Sequence, residues 1–124
     1  MININLTTNL TESECIAQLR YIKPTGEEHR RTYTCERYAA DSSQRAELKA
    51  LAAGLREIRC PAKVMIHMES NHLMAAIRND WPKIWKQNGW KNQKGNLVRD
   101  WELWKEVIDI SEKKQLVLTG RERT

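Results

Sequence analysis

Two glutamates stand where a carboxylate could bind a metal ion or move a proton. Glu47 lies in an amphipathic segment, residues 44–58, and three- and four-residue steps from it meet apolar residues. The Glu47 side chain is therefore predicted to project from the helix at the boundary of its buried face. A charge buried at that boundary requires a partner. The alternative is an acid in the first helical turn, favoured by the helix dipole. Glu69 follows the next apolar run, residues 63–68, and gives Glu47 a possible companion.

Strands and helices that would position these acids can be read from the hydrophobic periodicity. Alternation predicts half-buried strands at about residues 2–7, 15–21 and 31–38, joined as an antiparallel meander. A helix from residue 44 to about 59 and a strand buried on both faces at 63–68 follow, a pair typical of a parallel crossover. Glu69 then lies at the carboxyl end of that strand, where ligands gather in α/β sheets.

The remaining chain predicts more helices and a last strand. Pro82 divides a helical stretch into two short helices that meet at residues 80–81, and Asn88-Gly89 ends the second. A helix at residues 99–111 and a strand at 115–119 complete the order. At the start of the first helix, Asp41 followed by Gln44 is a capping-box pattern, and Ser42 or Ser43 is the alternative cap.

Composition sets limits on the class of protein. The 124 residues suit one domain, residues 1–124, with 21 basic against 16 acidic side chains and a pI near 9.3. Three cysteines without paired spacing indicate reduced thiols rather than a disulfide framework or a zinc site. We find no secretion signal and no apolar run that could span a membrane. We therefore expect a cytoplasmic protein with no membrane partner.

The basic charge is concentrated between residues 82 and 99, which contain no acid. Tryptophans interleave with the lysines there, as in surfaces that contact a sugar–phosphate backbone; a solvated basic face is the alternative. Trp81, Trp101 and Trp104 share apolar helix faces and are predicted to pack inward. The candidates for nucleic-acid contact are Lys83, Trp85, Lys86, Trp90, Lys91 and Lys94.

Three segments of the sequence resemble ribonuclease H. Residues 43–52, Ser-Gln-Arg-Ala-Glu-Leu-Lys-Ala-Leu-Ala, are similar to the family's Asn-Asn-Arg-x-Glu-Leu-x-Ala stretch. Residues 64–72 resemble the family's strand that ends in Asp-Ser-Gln-Tyr, with Glu69 at the aspartate position. Residues 85–91, Trp-Lys-x-x-Gly-Trp-Lys, with Leu103-Trp104 after them, resemble the basic protrusion of the bacterial type 1 enzymes. The resemblance implies an α/β fold with a mixed five-stranded sheet, three antiparallel strands followed by parallel ones.

The family cuts the RNA strand of an RNA/DNA hybrid with two magnesium ions held by four carboxylates. The resemblance makes Glu47 and Glu69 the catalytic and metal-binding candidates, with Mg²⁺ or Mn²⁺ as cofactor. The other two acids have no match: Thr7 or a neighbour takes the place of the first, and Glu122 comes too early for the fourth. The family's Gly-His-rich loop is matched only as far as Gly120, and its final helix is missing, so the active site is expected to be divergent and incomplete.

Ser43, Gln44 and Asn71 match family positions that touch the minor groove of the hybrid, with helix capping as their alternative role. From these features we expect a ribonuclease H-like domain that binds RNA/DNA hybrid or another duplex, with catalysis lost or impaired. One alternative is an active metal-dependent endonuclease. A second is a protein-interaction module. The partner expected for such a module is a second copy, in a homo-oligomer formed through an uncovered sheet edge.

Overall fold

The computed structural model describes residues 2–120. Alternating apolar residues form three consecutive strands, β1 (Ile2–Leu10), β2 (Glu14–Ile22) and β3 (Glu28–Glu36). β1 pairs antiparallel with β2, and β2 pairs antiparallel with β3. The predicted meander is therefore confirmed, with each strand nine residues long.

A helix then crosses over the meander and returns the chain beside β1. This helix, α1 (Ser43–Arg56), leads to β4 (Ala62–His67), which pairs parallel with β1. The last strand, β5 (Leu116–Gly120), pairs parallel with β4. The sheet order β3-β2-β1-β4-β5 confirms the predicted mixed five-stranded sheet.

Three helices separate β4 from β5. They are α2 (Asn71–Arg78), α3 (Trp81–Gln87) and α4 (Trp101–Lys114). Pro82 lies in the first turn of α3, where its missing N–H costs no helical hydrogen bond, so the predicted division into two short helices is confirmed. Among the described helices, none is long and apolar enough to cross a membrane.

The two faces of the sheet differ in character. Apolar residues of β1, β2 and β4 that share one face are buried beneath the helices: Ile4, Leu6, Ala17, Leu19, Val64 and Ile66. The opposite face carries polar side chains that are exposed or half-buried: Asn3, Asn5, Thr7, Gln18, Arg20, Arg30, Thr32, Lys63 and His67. Within residues 2–120 the helices thus cover one face, and that face holds the core.

Gly54 allows α1 to lie very close to the sheet. A Cβ atom at this position would come within 2.9 Å of Leu6 Cδ1 and 3.0 Å of Ala17 Cβ, closer than carbon atoms pack. The absent side chain brings the helix backbone down onto β1 and β2. This approach fixes the height of every α1 residue above the sheet.

The predicted boundaries need several corrections. The Asp41–Gln44 capping box is not formed; the Ser42 hydroxyl accepts the Arg45 N–H at 3.1 Å and caps α1. α1 ends at Arg56, earlier than predicted, whereas α4 extends to Lys114. Gln115, placed in the last strand by its sequence, instead ends α4 in a left-handed conformation. Glu122 lies outside the described residues.

Candidate nucleic-acid interface and carboxylate site

The Glu47 carboxylate is buried and held by backbone amides. Glu47 is 2% exposed, and as the fifth residue of α1 it lies beyond the first turn, so the helix-dipole alternative is wrong. Its Oε1 accepts the N–H of Glu69 at 3.1 Å and its Oε2 accepts that of Ser70 at 3.2 Å. Hydrogen bonds to a charged acceptor are stronger than neutral ones. The expected partner of Glu47 is thus the turn between β4 and α2.

Glu69 is brought beside Glu47 by that turn. Its backbone N–H touches the Glu47 carboxylate, and its own side chain is exposed. The next residue, Ser70, caps α2 through its hydroxyl, which accepts the Leu73 N–H at 3.2 Å. The backbone of Glu69 therefore contacts the Glu47 carboxylate at the carboxyl end of β4, while the Glu69 side chain is exposed and the Glu47 side chain is buried.

Thr8 is the β1 residue that lies on the helix-covered face of the sheet near the carboxyl end of β4. Side chains alternate along a strand, so Thr8 shares the helix-covered face with Leu6, whereas Thr7 belongs to the opposite face. Thr7 pairs with His67 in the parallel register, which puts Thr8 level with the end of β4. Thr8 is 2% exposed, and its Oγ1 has no hydrogen-bond partner among residues 2–120. The sequence left Thr7 or a neighbour in place of the first acid, and the structure favours the neighbour Thr8 because it lies on the same sheet face as the core.

These donors do not fit a pair of magnesium ions. Mg²⁺ requires octahedral oxygen ligands, and two ions close together need several anionic groups to offset their repulsion. Within residues 2–120 there is no cluster of three or more His, Cys, Asp or Glu side chains that could hold a metal. Glu47 and Glu69 remain as two carboxylates, enough at most for a single ion that keeps several waters.

Ser43, Gln44 and Asn71 lie around the same edge of the sheet. Ser43 and Asn71 are exposed and Gln44 is half-buried. Ser42 and Ser70 supply the helix caps, so the capping alternative does not hold for these three side chains. Ser43 and Gln44 are the first residues of α1, and Asn71 is the first residue of α2. Their side chains are available to hydrogen-bond a partner.

An ion-pair network orients the first turns of α1. The Asp41 carboxylate accepts from Lys49 Nζ at 2.7 Å and from the Tyr38 N–H at 2.9 Å, and these bonds hold the pKa of Asp41 below its usual value. Arg45 donates to Asp100 Oδ1 at 2.9 Å, which raises the pKa of Arg45. Because Asp100 immediately precedes α4, this bond ties the end of the basic stretch to the helix that carries Glu47. Sequence reasoning missed Asp100, since no local pattern links residues so far apart.

The basic stretch forms a short hairpin, which we call the basic hairpin (residues 90–98). Lys91 pairs antiparallel with Leu97, and the Asn92 Oδ1 accepts the N–H groups of Lys94 and Asn96. Trp90 and Val98, at its two ends, are 7% and 9% exposed and join the core. The hairpin is therefore anchored at its base and presents its tip to solvent.

Its lysines differ in how far their charges are compensated. Lys83, Lys91 and Lys94 are exposed, and among residues 2–120 they form none of the salt bridges that the other charged side chains make. Lys86 instead donates to Glu112 at 2.9 Å and to Asp109 at 3.1 Å of α4. The bonds to Glu112 and Asp109 raise the pKa of Lys86. Lys86 thus binds α3 to α4, and the uncompensated charge lies on the other three.

The tryptophans require two corrections. Trp90 is buried, so its predicted contact with a nucleic acid is wrong and its role is to anchor the basic hairpin. Trp81, predicted to pack inward, is 36% exposed. It begins a series of ring contacts that continues through half-buried Trp85 to buried Trp104, with centroids 6.4 and 5.9 Å apart. Helical periodicity failed here because α3 is only seven residues long and Pro82 is its one buried residue.

Comparison with protein families finds a match over most of the chain. A family model described as RNase H matches residues 11–119. A ribonuclease H of Legionella pneumophila (strain Corby) is 36% identical over 73 residues, which are 59% of this chain and 50% of the relative. A ribonuclease H of Symbiobacterium thermophilum is 31% identical over 75 residues, 60% of this chain and 51% of the relative. The match spans about half the length of these curated relatives.

Solved structures share the fold. The foamy viral protease-reverse transcriptase in complex with RNA/DNA hybrid superposes with a TM-score of 0.72 at 16% identity, covering 99% of this chain and 17% of that one. LC9-RNase H1, a type 1 RNase H with the type 2 active-site motif, superposes with a TM-score of 0.71 at 15% identity, covering 98% and 64%.

The burial of Glu47 predicts unequal effects for two matched substitutions. Glu47→Gln replaces one carboxylate oxygen by an NH₂ group, which cannot accept a backbone N–H, and should lower the free energy of unfolding by about 1–3 kcal/mol. Glu69→Gln, made at an exposed side chain, should cost less than about 0.5 kcal/mol. Urea unfolding at neutral pH measures both. Equal stability of Glu47→Gln and the unsubstituted chain would contradict the assigned role of Glu47.

Proposed function

The chain belongs to the ribonuclease H family, and from this membership we propose that it binds RNA/DNA hybrid or a related duplex, with hybrid cleavage lost or impaired. One observation carries the binding proposal: Lys83, Lys91 and Lys94 are exposed, and the Arg45–Asp100 bond ties the end of their stretch to the first turns of α1, the helix that begins with Ser43 and Gln44. Lysines of this kind contact phosphates, and hydroxyl and amide side chains can reach 2′-hydroxyls and base edges. The foamy viral relative in complex with RNA/DNA hybrid supports the choice of partner.

The incomplete donor set supports the second half of the proposal. Family chemistry requires four carboxylates, and Thr8 offers a hydroxyl where an acid is needed. Both Glu47 oxygens already accept backbone amides. When bound, Mg²⁺ or Mn²⁺ would supply an activated water and charge neutralisation; Glu47 and Glu69 are the residues that would hold it.

An active metal-dependent endonuclease is the second candidate function. The observation in its favour is the meeting of Glu47 and Glu69 at the end of β4, where the family's site is found. Cytoplasmic location and homo-oligomer formation stay predictions. The outer edge of β5, where Val117 is 48% exposed, is the edge at which a second copy could pair.

Duplex binding is predicted to depend on salt and on the basic hairpin. Lys91→Gln combined with Lys94→Gln should weaken hybrid binding about 5- to 20-fold at moderate salt and lower the slope of log affinity against log salt by about 2, because two phosphate contacts are lost. Fluorescence anisotropy with hybrid, double-stranded DNA and double-stranded RNA of one sequence measures affinity and preference.

Lys63→Gln combined with Lys113→Gln is the matched control. It removes the same net charge from exposed positions on the outer sheet face and the end of α4, and should keep most of the affinity. Binding that does not weaken with salt, or an equal loss in this control, would count against the basic hairpin as the interface.

A single substitution is predicted to restore metal affinity. Thr8→Asp puts a third carboxylate beside Glu47 and Glu69, so it should destabilise the chain without metal and recover stability when Mn²⁺ is added. The melting temperature with and without Mn²⁺ is the readout, and it needs no activity. Thr7→Asp, one residue away but on the opposite sheet face, should show no such recovery. A recovery equal for both would show that the ion binds elsewhere.

Cleavage of labelled hybrid in Mg²⁺ or Mn²⁺ decides between the two functions. We expect no cleavage by the unsubstituted chain at concentrations that saturate binding. Glu69→Gln is the appropriate site variant, because Glu47→Gln also disturbs the β4–α2 turn. Cleavage that Glu69→Gln abolishes would establish the endonuclease, while cleavage that it leaves unchanged would come from a contaminant.

A further inference from the structure

Two cysteines face each other across neighbouring strands. Cys15 of β2 and Cys35 of β3 are directly opposed in the antiparallel register, and both are free. Opposed residues in such a pair have Cα atoms about 4.5–5.5 Å apart. Disulfides need a Cα separation of about 4.4–6.8 Å. The two strands therefore already hold these thiols at a spacing that a disulfide can bridge without backbone movement.

The pair is shielded on one side and accessible on the other. Cys15 is fully buried in a small cluster with Ala17, Ala46 and Ala50, beneath the first half of α1. Cys35 is half-buried and packs against this cluster from the edge strand. An oxidant arriving from solvent thus meets Cys35 first, and Cys15 is the only cysteine behind it.

Charged groups around the pair affect its reactivity. Burial raises the pKa of Cys15 to about 11, and Cys35 beside it adds to that rise, while the Lys49 ammonium lowers it. Lys49 is held in place by Asp41 and by the Glu36 carbonyl, next to the end of β3. The buried member is therefore the poor initial nucleophile, and the solvent-facing member is the one to react first.

We propose that Cys15 and Cys35 form a modification site at which a hydroperoxide produces an intramolecular disulfide between β2 and β3. The Cys35 thiolate attacks the peroxide, the O–O bond breaks, and Cys35 becomes a sulfenic acid as water or alcohol leaves. The Cys15 sulfur then attacks the Cys35 sulfur, the S–O bond breaks, and the hydroxide leaves as water with the Cys15 proton. Two electrons pass from the thiols to the peroxide.

The third cysteine cannot take part in the folded chain. Cys60 precedes Ala62, which pairs with Ile2 at one end of β1, whereas Cys15 pairs with Leu10 at the other. Eight residue steps along a strand separate the two ends by about 27 Å. Cys60 is thus an internal reference for a thiol with no partner in reach.

The disulfide would strengthen a weak part of the fold. β3 is an edge strand that pairs only with β2 within the described sheet. A bond that closes the chain between residues 15 and 35 restricts the unfolded state and should raise the melting temperature by about 5–10 °C. The same bond would lie between the sheet and the first half of α1, the helix that carries Glu47.

Oxidation of the full chain carrying Cys60→Ser tests the proposal. After treatment with hydrogen peroxide and alkylation without denaturant, we expect a mass lower by two hydrogens, one peptide linking Cys15 to Cys35, and the raised melting temperature. Dithiothreitol should reverse all three. The Cys35→Ser, Cys60→Ser variant, which keeps only Cys15, should resist peroxide and melt at the same temperature before and after treatment.

Several results would overturn it. Cys35 could accumulate as sulfinic or sulfonic acid while Cys15 remains a thiol that alkylates after denaturation. That result would show that the two sulfurs cannot form a bond. In the chain with all three cysteines, a linkage of Cys60 to either partner within one molecule would contradict the strand geometry. An unchanged melting temperature after complete disulfide formation would remove the stabilising role.

Discussion

The hydrogen bonds from two backbone amides to the Glu47 carboxylate are the interaction on which the rest of the site depends. Oε1 and Oε2 bind the N–H groups of consecutive residues, Glu69 and Ser70, and so join the middle of α1 to the turn after β4. A buried carboxylate is costly unless it is hydrogen-bonded, and these amides would otherwise lack partners at the end of a strand. Each side satisfies the other, which fixes where α2 begins and where Glu69 emerges.

The same interaction explains how a buried acid is stable although residues 2–120 hold no group of three or more potential metal ligands. In a complete site, a buried glutamate is stabilised by cations. Here backbone dipoles supply stabilisation, so Glu47 retains a structural role whatever binds at Glu69. Thr8, whose hydroxyl is buried without a partner, marks the position at which the neighbouring strand contributes no charge.

A second set of contacts sets the position of the basic hairpin. Arg45 binds Asp100 on one side, and Lys86 binds Asp109 and Glu112 on the other. These bonds use some basic side chains internally and leave Lys83, Lys91 and Lys94 exposed. The division matters because an exposed, unpaired lysine can release counterions from a polyanion, whereas one already paired with carboxylates contributes far less. A count of basic residues in the sequence does not make this distinction.

The sequence by itself determined the order of elements, the meander, the parallel crossover and the nearness of Glu47 to Glu69. These features follow from local signals, namely apolar periodicity, Pro82 after α2, and short motifs that resemble a family. It left open whether Thr7 or a neighbour replaces the first acid and whether Ser43 caps α1. A shift of one residue moves a side chain to the other face of a strand, and neighbouring serines offer the same hydroxyl. It misjudged Trp81, because periodicity identifies a helix face without saying whether another element covers it. It misjudged Trp90, because a tryptophan between lysines in the sequence can still be buried in the core. Only the tertiary structure decided that Glu47 is held by amides of the turn between β4 and α2, that Lys86 is paired and that Cys15 faces Cys35, since each of these contacts joins residues 20 or more positions apart. Contacts between such distant residues depend on how the whole sheet and its helices pack, which no local pattern encodes.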